Sequence, residues 1–169
     1  MSHHTIDLSK KPKTAEEIFL EATLGKYAIK SKLSPRKESE PEIIIQPYYP
    51  VCLYDNYYTL HLGYDIYLDP DRTKKAVRIP LFGYFAQPCE VFYCESWESV
   101  KVEKFVPFLY PSTLAHLHGM EMDHDFDPSK SIHDGKLQFT LTTERQTTFS
   151  PGMPIANLYF MKRDKLKNR

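Results

Sequence analysis

The sequence predicts a mainly β domain, a distorted antiparallel barrel or jelly roll preceded by one short helix. Many short segments are rich in β-branched and aromatic residues, and Pro, Gly, Asp and Asn separate them at the spacing of an all-β sandwich or barrel. Helical spacing of apolar residues occurs near the N-terminus. The 169 residues, 41% hydrophobic and 14% aromatic, are enough for one core and one domain.

The predicted helix lies in residues 14–27, where apolar side chains recur at spacings of three and four. Thr14 is the expected N-cap, Glu17 completes a capping box, and the helix is expected to end near Gly25. Residues 30–42 are charged and contain two prolines, which is typical of an exposed linker. The predicted organisation is an N-terminal arm over 1–42, a β-barrel domain over 43–161 and a basic tail over 162–169.

Seven segments of the barrel domain have the composition of strands. In the longest, strict alternation predicts that Tyr58, Leu60, Leu62 and Tyr64 share one face. Thirteen prolines indicate edges, bulges and corners. The predicted strands are 43–45, 58–67, 76–79, 90–93, 99–102, 137–142 and 155–160.

Composition narrows the classes of partner. Lys plus Arg and Asp plus Glu are both 22, so the net charge of zero does not favour nucleic acid or an anionic membrane. No apolar run reaches the roughly 20 residues that cross a bilayer, and residues 1–13 lack the apolar centre of a signal peptide. We expect a soluble, cytoplasmic protein with no membrane partner. Cys52, Cys89 and Cys94 lack disulfide or metal-ligand spacing and are interpreted as reduced, mostly buried thiols without a reactive role.

Four motifs can be compared with known families. Near the C-terminus, 151–158 reads Pro-Gly-Met-Pro-Ile-Ala-Asn-Leu, and upstream 63–66 reads Gly-Tyr-Asp-Ile. Between them stand Tyr-Pro-Ser-Thr-Leu-Ala at 110–115 and Phe-Asp-Pro at 126–128, the latter followed by Asp134-Gly135. Taken together, residues 14–160 resemble the deoxyuridine triphosphatase and deoxycytidine triphosphate deaminase superfamily. In chain order, the four segments resemble the first to fourth motifs of that family, and the fourth, at 151–158, is the specific one. The resemblance implies a barrel of the deoxyuridine triphosphatase (dUTPase) type.

The departures from this family concern its chemistry. Pro111 stands where the second motif has an Arg that binds triphosphate oxygens, and it supplies no donor. Thr140, or one of its neighbours Phe139 and Leu141, stands where the deaminase branch has a general acid–base Glu, and none of these can carry that proton. The basic tail 162–169 cannot form the Gly-rich aromatic lid of the triphosphatase.

The resemblance implies a homotrimer with pockets between subunits. The leading hypothesis is a noncatalytic trimeric binding or structural protein with a protein partner, in a viral setting (host cytoplasm or virion) by fold-level association. The alternative is a divergent Mg²⁺-dependent deoxypyrimidine triphosphate pyrophosphohydrolase, and a third reading is a nucleotide sensor without turnover. In these last two cases a deoxypyrimidine nucleotide would contact Ser112, Thr113 and Tyr64, and magnesium would be the one cofactor. In the enzyme, the catalytic residues would be Asp65, Asp127 and Asp134.

Histidines and acidic residues cluster between 116 and 133. If His116 and His118 lay on one strand, both imidazoles would share a face suited to zinc, copper or nickel. Spacing fixes no third ligand, so no metal site is predicted, and surface or threefold-contact histidines are favoured. A pH-sensitive assembly contact is an intermediate alternative. The other members of the cluster are His124, His133, Glu121, Asp123, Asp125 and Asp127.

Tyrosines are dense between residues 48 and 67. They have the chemistry to stack on bases, but at zero net charge we favour a sheet face or a protein interface. Nucleic acid is for the same reason not an expected partner. The residues are Tyr48, Tyr49, Tyr54, Tyr57, Tyr58, Tyr64 and Tyr67.

Overall fold

A computed structural model describes residues 13–33, 42–71, 73–122 and 135–163, together with the backbone of 132–133. Eleven strands and three α-helices lie in these ranges. No helix in the described ranges is long and apolar enough to cross a membrane. The helices are α1 (Ala15–Ala22), α2 (Lys26–Leu33) and α3 (Thr113–Leu117), and a single 3-10 turn covers Pro50–Cys52.

The strands form one large antiparallel sheet and one small one. Along the large sheet the order is β6-β11-β2-β5-β9-β7, with β1 on β5, β3 on β2 and β8 on β9, while β4 and β10 pair separately. The strands are β1 (Ile43–Gln46), β2 (Tyr58–Tyr67), β3 (Val77–Arg78), β4 (Tyr84–Ala86), β5 (Val91–Val102), β6 (Phe105–Pro111), β7 (Met120–Met122), β8 (Ile132–His133), β9 (Lys136–Thr143), β10 (Thr147–Phe149) and β11 (Pro154–Lys162).

The sheet is nearly closed into a barrel. Strand β5 pairs with β1, β2 and β9, while β6 and β7, the two ends of the strand order, approach each other across α3. Closure covers the edges that an open sheet would expose. The predicted mainly β fold with an antiparallel barrel and an N-terminal helix is therefore confirmed.

The interior of the barrel is filled by large apolar side chains. The predicted face of β2 holds for Tyr58, Leu60 and Leu62, which are fully buried. Beyond Leu62 the pairing of β2 with β5 shifts register, so Ile66 takes the next core position and Tyr64 is only half-buried. Other fully buried side chains are Phe92, Phe149, Phe160, Ile29, Ile43, Ile79, Met120 and Leu137.

Helix α1 begins as predicted. The Thr14 hydroxyl accepts the Glu17 N–H at 3.2 Å, and the Glu17 carboxylate accepts the Thr14 N–H at 2.8 Å. The helix places Phe19 against Phe108 and Tyr159, with ring centroids 6.4 and 5.2 Å away. The helix is thereby held to the surface of β6 and β11.

The predicted linker over 30–42 was wrong at its N-terminal end, because residues up to Leu33 belong to helix α2. The apolar pattern of α2 is weak, but Ile29 is fully buried and packs near β1. Tertiary anchoring therefore stabilises a helix that its own sequence signals poorly. Residues 34–41 lie outside the described part of the chain, and so do the tail residues 164–169.

Candidate functional site

A cavity of about 400 Å³ opens beside the 3-10 turn. Three aromatic side chains, Tyr49, Tyr64 and Trp97, contribute to its wall, and the thiol of Cys52 and the imidazole of His61 contribute its polar groups. The remaining lining residues are Val51, Leu81, Pro151 and Gly152. Within the described residues this lining contains no Lys, Arg, Asp or Glu, so the cavity suits a largely apolar or aromatic group.

A buried carboxyl group lies behind the histidine. In β5 the buried positions alternate through Phe92, Cys94, Ser96, Glu98 and Val100, so Glu98 occupies a core-facing position and has no exposed surface. The pairing of β5 with β9 shifts register between Glu95 and Ser99, which marks a bulge at this point.

Hydrogen bonds fill this bulge. The Ser96 hydroxyl donates to the Glu98 carbonyl at 2.5 Å and accepts the Leu137 N–H at 3.0 Å. The polar side chains that interrupt the apolar pattern of β5 are thus paired inside the sheet.

Among the described residues, the Glu98 carboxyl group is held by His61 on the neighbouring strand β2. One carboxyl oxygen accepts the His61 backbone N–H at 3.0 Å, and the other lies 2.5 Å from Nδ1 of the imidazole. A carboxylate only accepts hydrogen bonds, so this contact matches the imidazole tautomer that carries its proton on Nδ1. The second ring nitrogen, Nε2, is then left as an acceptor.

Nε2 of His61 faces the thiol of Cys52 at a distance of 3.8 Å. Cys52 ends the 3-10 turn, whose residues Pro50 and Val51 are exposed. Burial raises the pKa of the Cys52 thiol, and the negative charge of Glu98 raises it further. The thiol therefore retains its proton at neutral pH, with an imidazole acceptor beside it.

This arrangement corrects our interpretation of the cysteines. Cys52 is half-buried, Cys89 is exposed and only Cys94 is fully buried, so the thiols are not mostly buried. The positions of Cys52 and His61, nine residues apart around a turn, carry no recognised motif. The signal that sequence reasoning missed is Glu98, a carboxyl group at an inward position of an alternating strand.

One of the residues predicted to bind nucleotide, Tyr64, lies at this cavity, and the predicted catalytic residue Asp65 follows it in β2. Tyr64 lines the wall, with its ring centroid 4.5 Å from that of Trp97. The Arg78 guanidinium lies 4.4 Å above the Tyr64 ring and 3.7 Å from the Asp65 carboxylate. Asp65 is thus in a solvent-exposed ion pair on the outside of the sheet.

Ser112 and Thr113 lie elsewhere, at the start of α3. The Ser112 hydroxyl accepts the Ala115 N–H at 3.1 Å and donates to the Pro154 carbonyl at 2.8 Å. Ser112 is the N-cap of the helix, while Thr113 is exposed in its first turn. Pro111, at the position of the family's Arg, ends strand β6 opposite Ala156. Neither Ser112 nor Thr113 is among the described residues that line the cavity.

The remaining predicted site residues are not brought together by the described structure. Asp127 and Asp134 lie outside the described residues, so their role stays a prediction. Thr140 is in β9 opposite Tyr93, and its neighbours Phe139 and Leu141 are in the core. The position of the deaminase branch's general acid–base is therefore part of a packed strand.

The strand considered for His116 and His118 is not present. His116 lies in helix α3, and His118 is the C-cap of that helix. His118 Nδ1 instead lies 3.0 Å from the Thr147 hydroxyl. In the described part of the chain, no three His, Cys, Asp or Glu side chains converge as a metal site. His124, Asp123, Asp125 and Asp127 lie outside the described residues, as does the side chain of His133.

The tyrosines between 48 and 67 mostly pack on one another. Tyr58 is buried and stacks on Tyr48 at 5.7 Å, and Tyr54 stacks on Tyr57 at 4.9 Å. Tyr58 agrees with our preferred interpretation of a sheet face, whereas Tyr48, Tyr54 and Tyr57 precede strand β2. Tyr49 and Tyr64 differ because they line the cavity.

The sequence and the structure were compared with known proteins. No protein-family model and no curated protein matches the sequence. Among solved structures, the 2'-deoxycytidine 5'-triphosphate deaminase of Agrobacterium tumefaciens is similar, with a TM-score of 0.62 and 14% sequence identity. The similarity covers 83% of this chain and 48% of the deaminase chain, so this chain spans about half of that protein's length. The chain therefore has the fold of the dUTPase and deoxycytidine triphosphate (dCTP) deaminase superfamily.

Proposed function

We propose that this protein is a noncatalytic binding or structural protein built on the dUTPase-like fold, assembled as a homotrimer. The observation that carries the proposal is the structure of residues 110–115, the segment that resembles the second motif of the family. Its proline ends a strand, and the hydroxyl of Ser112 is occupied in both directions by backbone groups. A segment that binds phosphate in the family thus serves here as a helix cap.

The chemistry of phosphate binding supports the same conclusion. A triphosphate needs several charge-assisted donors, and Arg supplies them in forked pairs. Of the predicted acidic groups that are described, Asp65 is already paired with Arg78 on an exposed surface. An exposed pair of this kind contributes little energy, about 0–1 kcal/mol. Among the residues that the structure describes, no organised set of carboxylates is present for a metal.

Exposed apolar side chains support the assembly. In the turn before β4, Leu81 and Phe82 are 88% and 87% exposed. Phe85, within β4 itself, is 64% exposed. Large apolar groups clustered on a monomer surface commonly mark protein contacts. Association through this surface, with further copies or with a protein partner, would remove them from water. The viral setting expected by fold-level association belongs to the same proposal.

Turnover is the test of the noncatalytic part. Pyrophosphate and ammonia release would be measured with dUTP, dCTP and dTTP in the presence of magnesium, on purified protein and on Asp65→Asn. We expect no release from either protein. Release that the substitution abolishes would contradict the proposal and establish the divergent pyrophosphohydrolase.

Native mass is the test of the assembly. Light scattering is expected to give the mass of three chains. Phe82→Asp should shift the mass toward that of one chain, because the substitution would bury a charge at the contact. Lys30→Glu changes an exposed position of α2 and serves as the control. A monomeric native protein, or a trimer that Phe82→Asp leaves intact, would remove this surface from the proposal.

A further inference from the structure

We propose that Cys52 is a nucleophile that accepts an acyl group from an activated acyl compound entering the cavity, with His61 as its base. The site contains the three parts that activated thiols share: a thiol, an acceptor nitrogen beside it and a group that orients the imidazole. Here the distances are 3.8 Å from Sγ to Nε2 and 2.5 Å from Nδ1 to the Glu98 carboxylate. The inference goes beyond the proposed function, whose noncatalytic character concerns nucleotide turnover. A single transfer of an acyl group to Cys52 involves no nucleotide and requires no turnover.

The protonation states favour a general-base route. Because the pKa of the Cys52 thiol is raised by burial and by Glu98, little thiolate is present at neutral pH. Attack therefore needs a base at the sulfur, and Nε2 is placed to accept the proton. Glu98 acts through His61 as a positioning residue, since it keeps the other ring proton on Nδ1.

The step balances without a further reagent. The sulfur bonds to the carbonyl carbon while its proton passes to Nε2, the bond from that carbon to the leaving group breaks, and the proton is delivered to the leaving group. The products are a thioester on Cys52 and the protonated leaving group. Oxidation and reduction play no part.

The cavity indicates the substrate class. Its described lining carries no charged side chain, and Tyr49, Tyr64 and Trp97 offer flat apolar surfaces. A volume of about 400 Å³ accommodates a short aliphatic or aromatic acyl group. An ester or thioester with a good leaving group fits this chemistry better than a phosphorylated compound, which would meet no cationic partner in the lining.

The three cysteines provide an internal control. Cys94 is fully buried, and Cys89 is exposed without a described contact to a histidine. Solvent exposure alone would make Cys89 the more reactive thiol. The proposal predicts the reverse order for an acyl donor.

The test uses p-nitrophenyl butyrate on the full chain. We expect rapid release of about one equivalent of p-nitrophenolate per chain and a butyryl group on Cys52 in peptide mass spectra, with at least tenfold less on Cys89. Cys52→Ser should abolish the burst, whereas Cys89→Ser should leave it unchanged. The Cys52-to-Cys89 ratio within the unaltered protein decides the question even where Cys52→Ser fails to fold. Equal labelling of the two thiols, no burst, or a burst that Cys52→Ser retains would overturn the proposal.

A pH profile separates base catalysis from a structural role. In His61→Gln the amide still donates to the buried carboxylate, but no base remains, and the acylation rate near pH 7 should fall about 10²-fold or more. The rate should then rise tenfold per pH unit, because only thiolate reacts. Glu98→Gln should also lower the rate near pH 7, since an amide can present either a donor or an acceptor to Nδ1 and no longer fixes the ring proton. Variants whose profiles match that of the unaltered protein would show that His61 and Glu98 act on folding alone.

Discussion

The hydroxyl of Ser112 forms two hydrogen bonds to the backbone, one to its own helix and one to strand β11. The residue is almost fully buried, so neither bond is readily replaced by water. This is the chemistry of a structural residue. A serine that must also rotate toward a phosphate would have to give up at least one of these partners.

Replacement of this serine tests its structural role. Ser112→Ala is expected to lower the free energy of unfolding by about 1–2 kcal/mol, because the helix loses its cap and Pro154 loses a donor. Thr113→Ala, at the exposed neighbouring position, should change it by less than about 0.5 kcal/mol. Urea unfolding measures both. Equal effects of the two substitutions would mean that the cap contributes nothing.

Asp69 has a carboxyl group whose pKa is lowered in the folded protein. Burial alone would raise the pKa of its carboxyl, but hydrogen bonds from the Thr73 hydroxyl and N–H, both at 2.8 Å, lower it. The Lys74 N–H and the Lys74 charge add to this effect, and the net pKa is below its ordinary value. The stabilisation is therefore present above the unfolded-state pKa of about 3.9 and is lost as the pH falls through the folded-state pKa.

Asp69→Asn is accordingly expected to lower the melting temperature near pH 7, where the folded carboxylate is ionised. The difference from the unaltered protein should shrink toward pH 2, where both side chains are neutral. Asp71→Asn, at an exposed position of the same turn, is the control. A difference that persists at low pH would assign the effect to packing rather than to ionisation.

At the scale of elements, the bulge region between β2 and β5 brings the two strands unusually close. A Cβ atom added to Gly63 would lie 2.9 Å from the Glu95 carbonyl oxygen, a backbone atom that cannot move independently of its strand. The close approach lies where β2 and β5 change register. Only glycine fits this position without displacing a strand.

Gly63→Ala is therefore expected to lower the free energy of unfolding by about 1–3 kcal/mol. At Gly25 an added Cβ would make an ordinary contact of 3.8 Å with the Asp55 carbonyl oxygen, so Gly25→Ala should be neutral or slightly stabilising. Denaturant unfolding of the two variants compares them directly. A neutral Gly63→Ala would show that the strands separate more easily than their spacing indicates.

Elements whose signal is local were predictable from the sequence. The capping box of α1 and the alternation of β2 appear at the expected residues because neighbouring side chains determine them. Strand β5 was predicted as two pieces, 90–93 and 99–102, because Glu95, Ser96 and Glu98 interrupt its apolar pattern. Those polar groups are paired across strands, which no single segment reveals.

Helices α2 and α3 were missed for the same physical reason. Helix α2 depends on burial of Ile29, and α3 is a five-residue segment that depends on the Ser112 cap. The candidate site was also beyond local signals, because Cys52, His61 and Glu98 meet only when the 3-10 turn, β2 and β5 are assembled. Tyr64 was the predicted residue that does reach the cavity.

In the whole molecule, a barrel of the dUTPase type carries a segment, residues 110–115, in which Pro111 ends a strand and the Ser112 hydroxyl is bonded to backbone groups. The nearly closed sheet and the apolar core rest mainly on β2, β5, β9 and β11, and the segment contributes Ala115 to that core. Burial of this core stabilises the fold whether or not a nucleotide binds. The exposed apolar surface before β4 then provides a route to assembly.

The central claim, that the nucleotide site of this fold is absent here, is tested most directly by nucleotide binding. Melting temperatures would be measured with dUTP, dCTP and dTTP, each with and without magnesium, because binding precedes both turnover and sensing. We expect no shift in melting temperature at millimolar nucleotide. A ligand present at 100 times its dissociation constant would add about 2.7 kcal/mol of stability and a shift of several degrees, and such a shift would contradict the account.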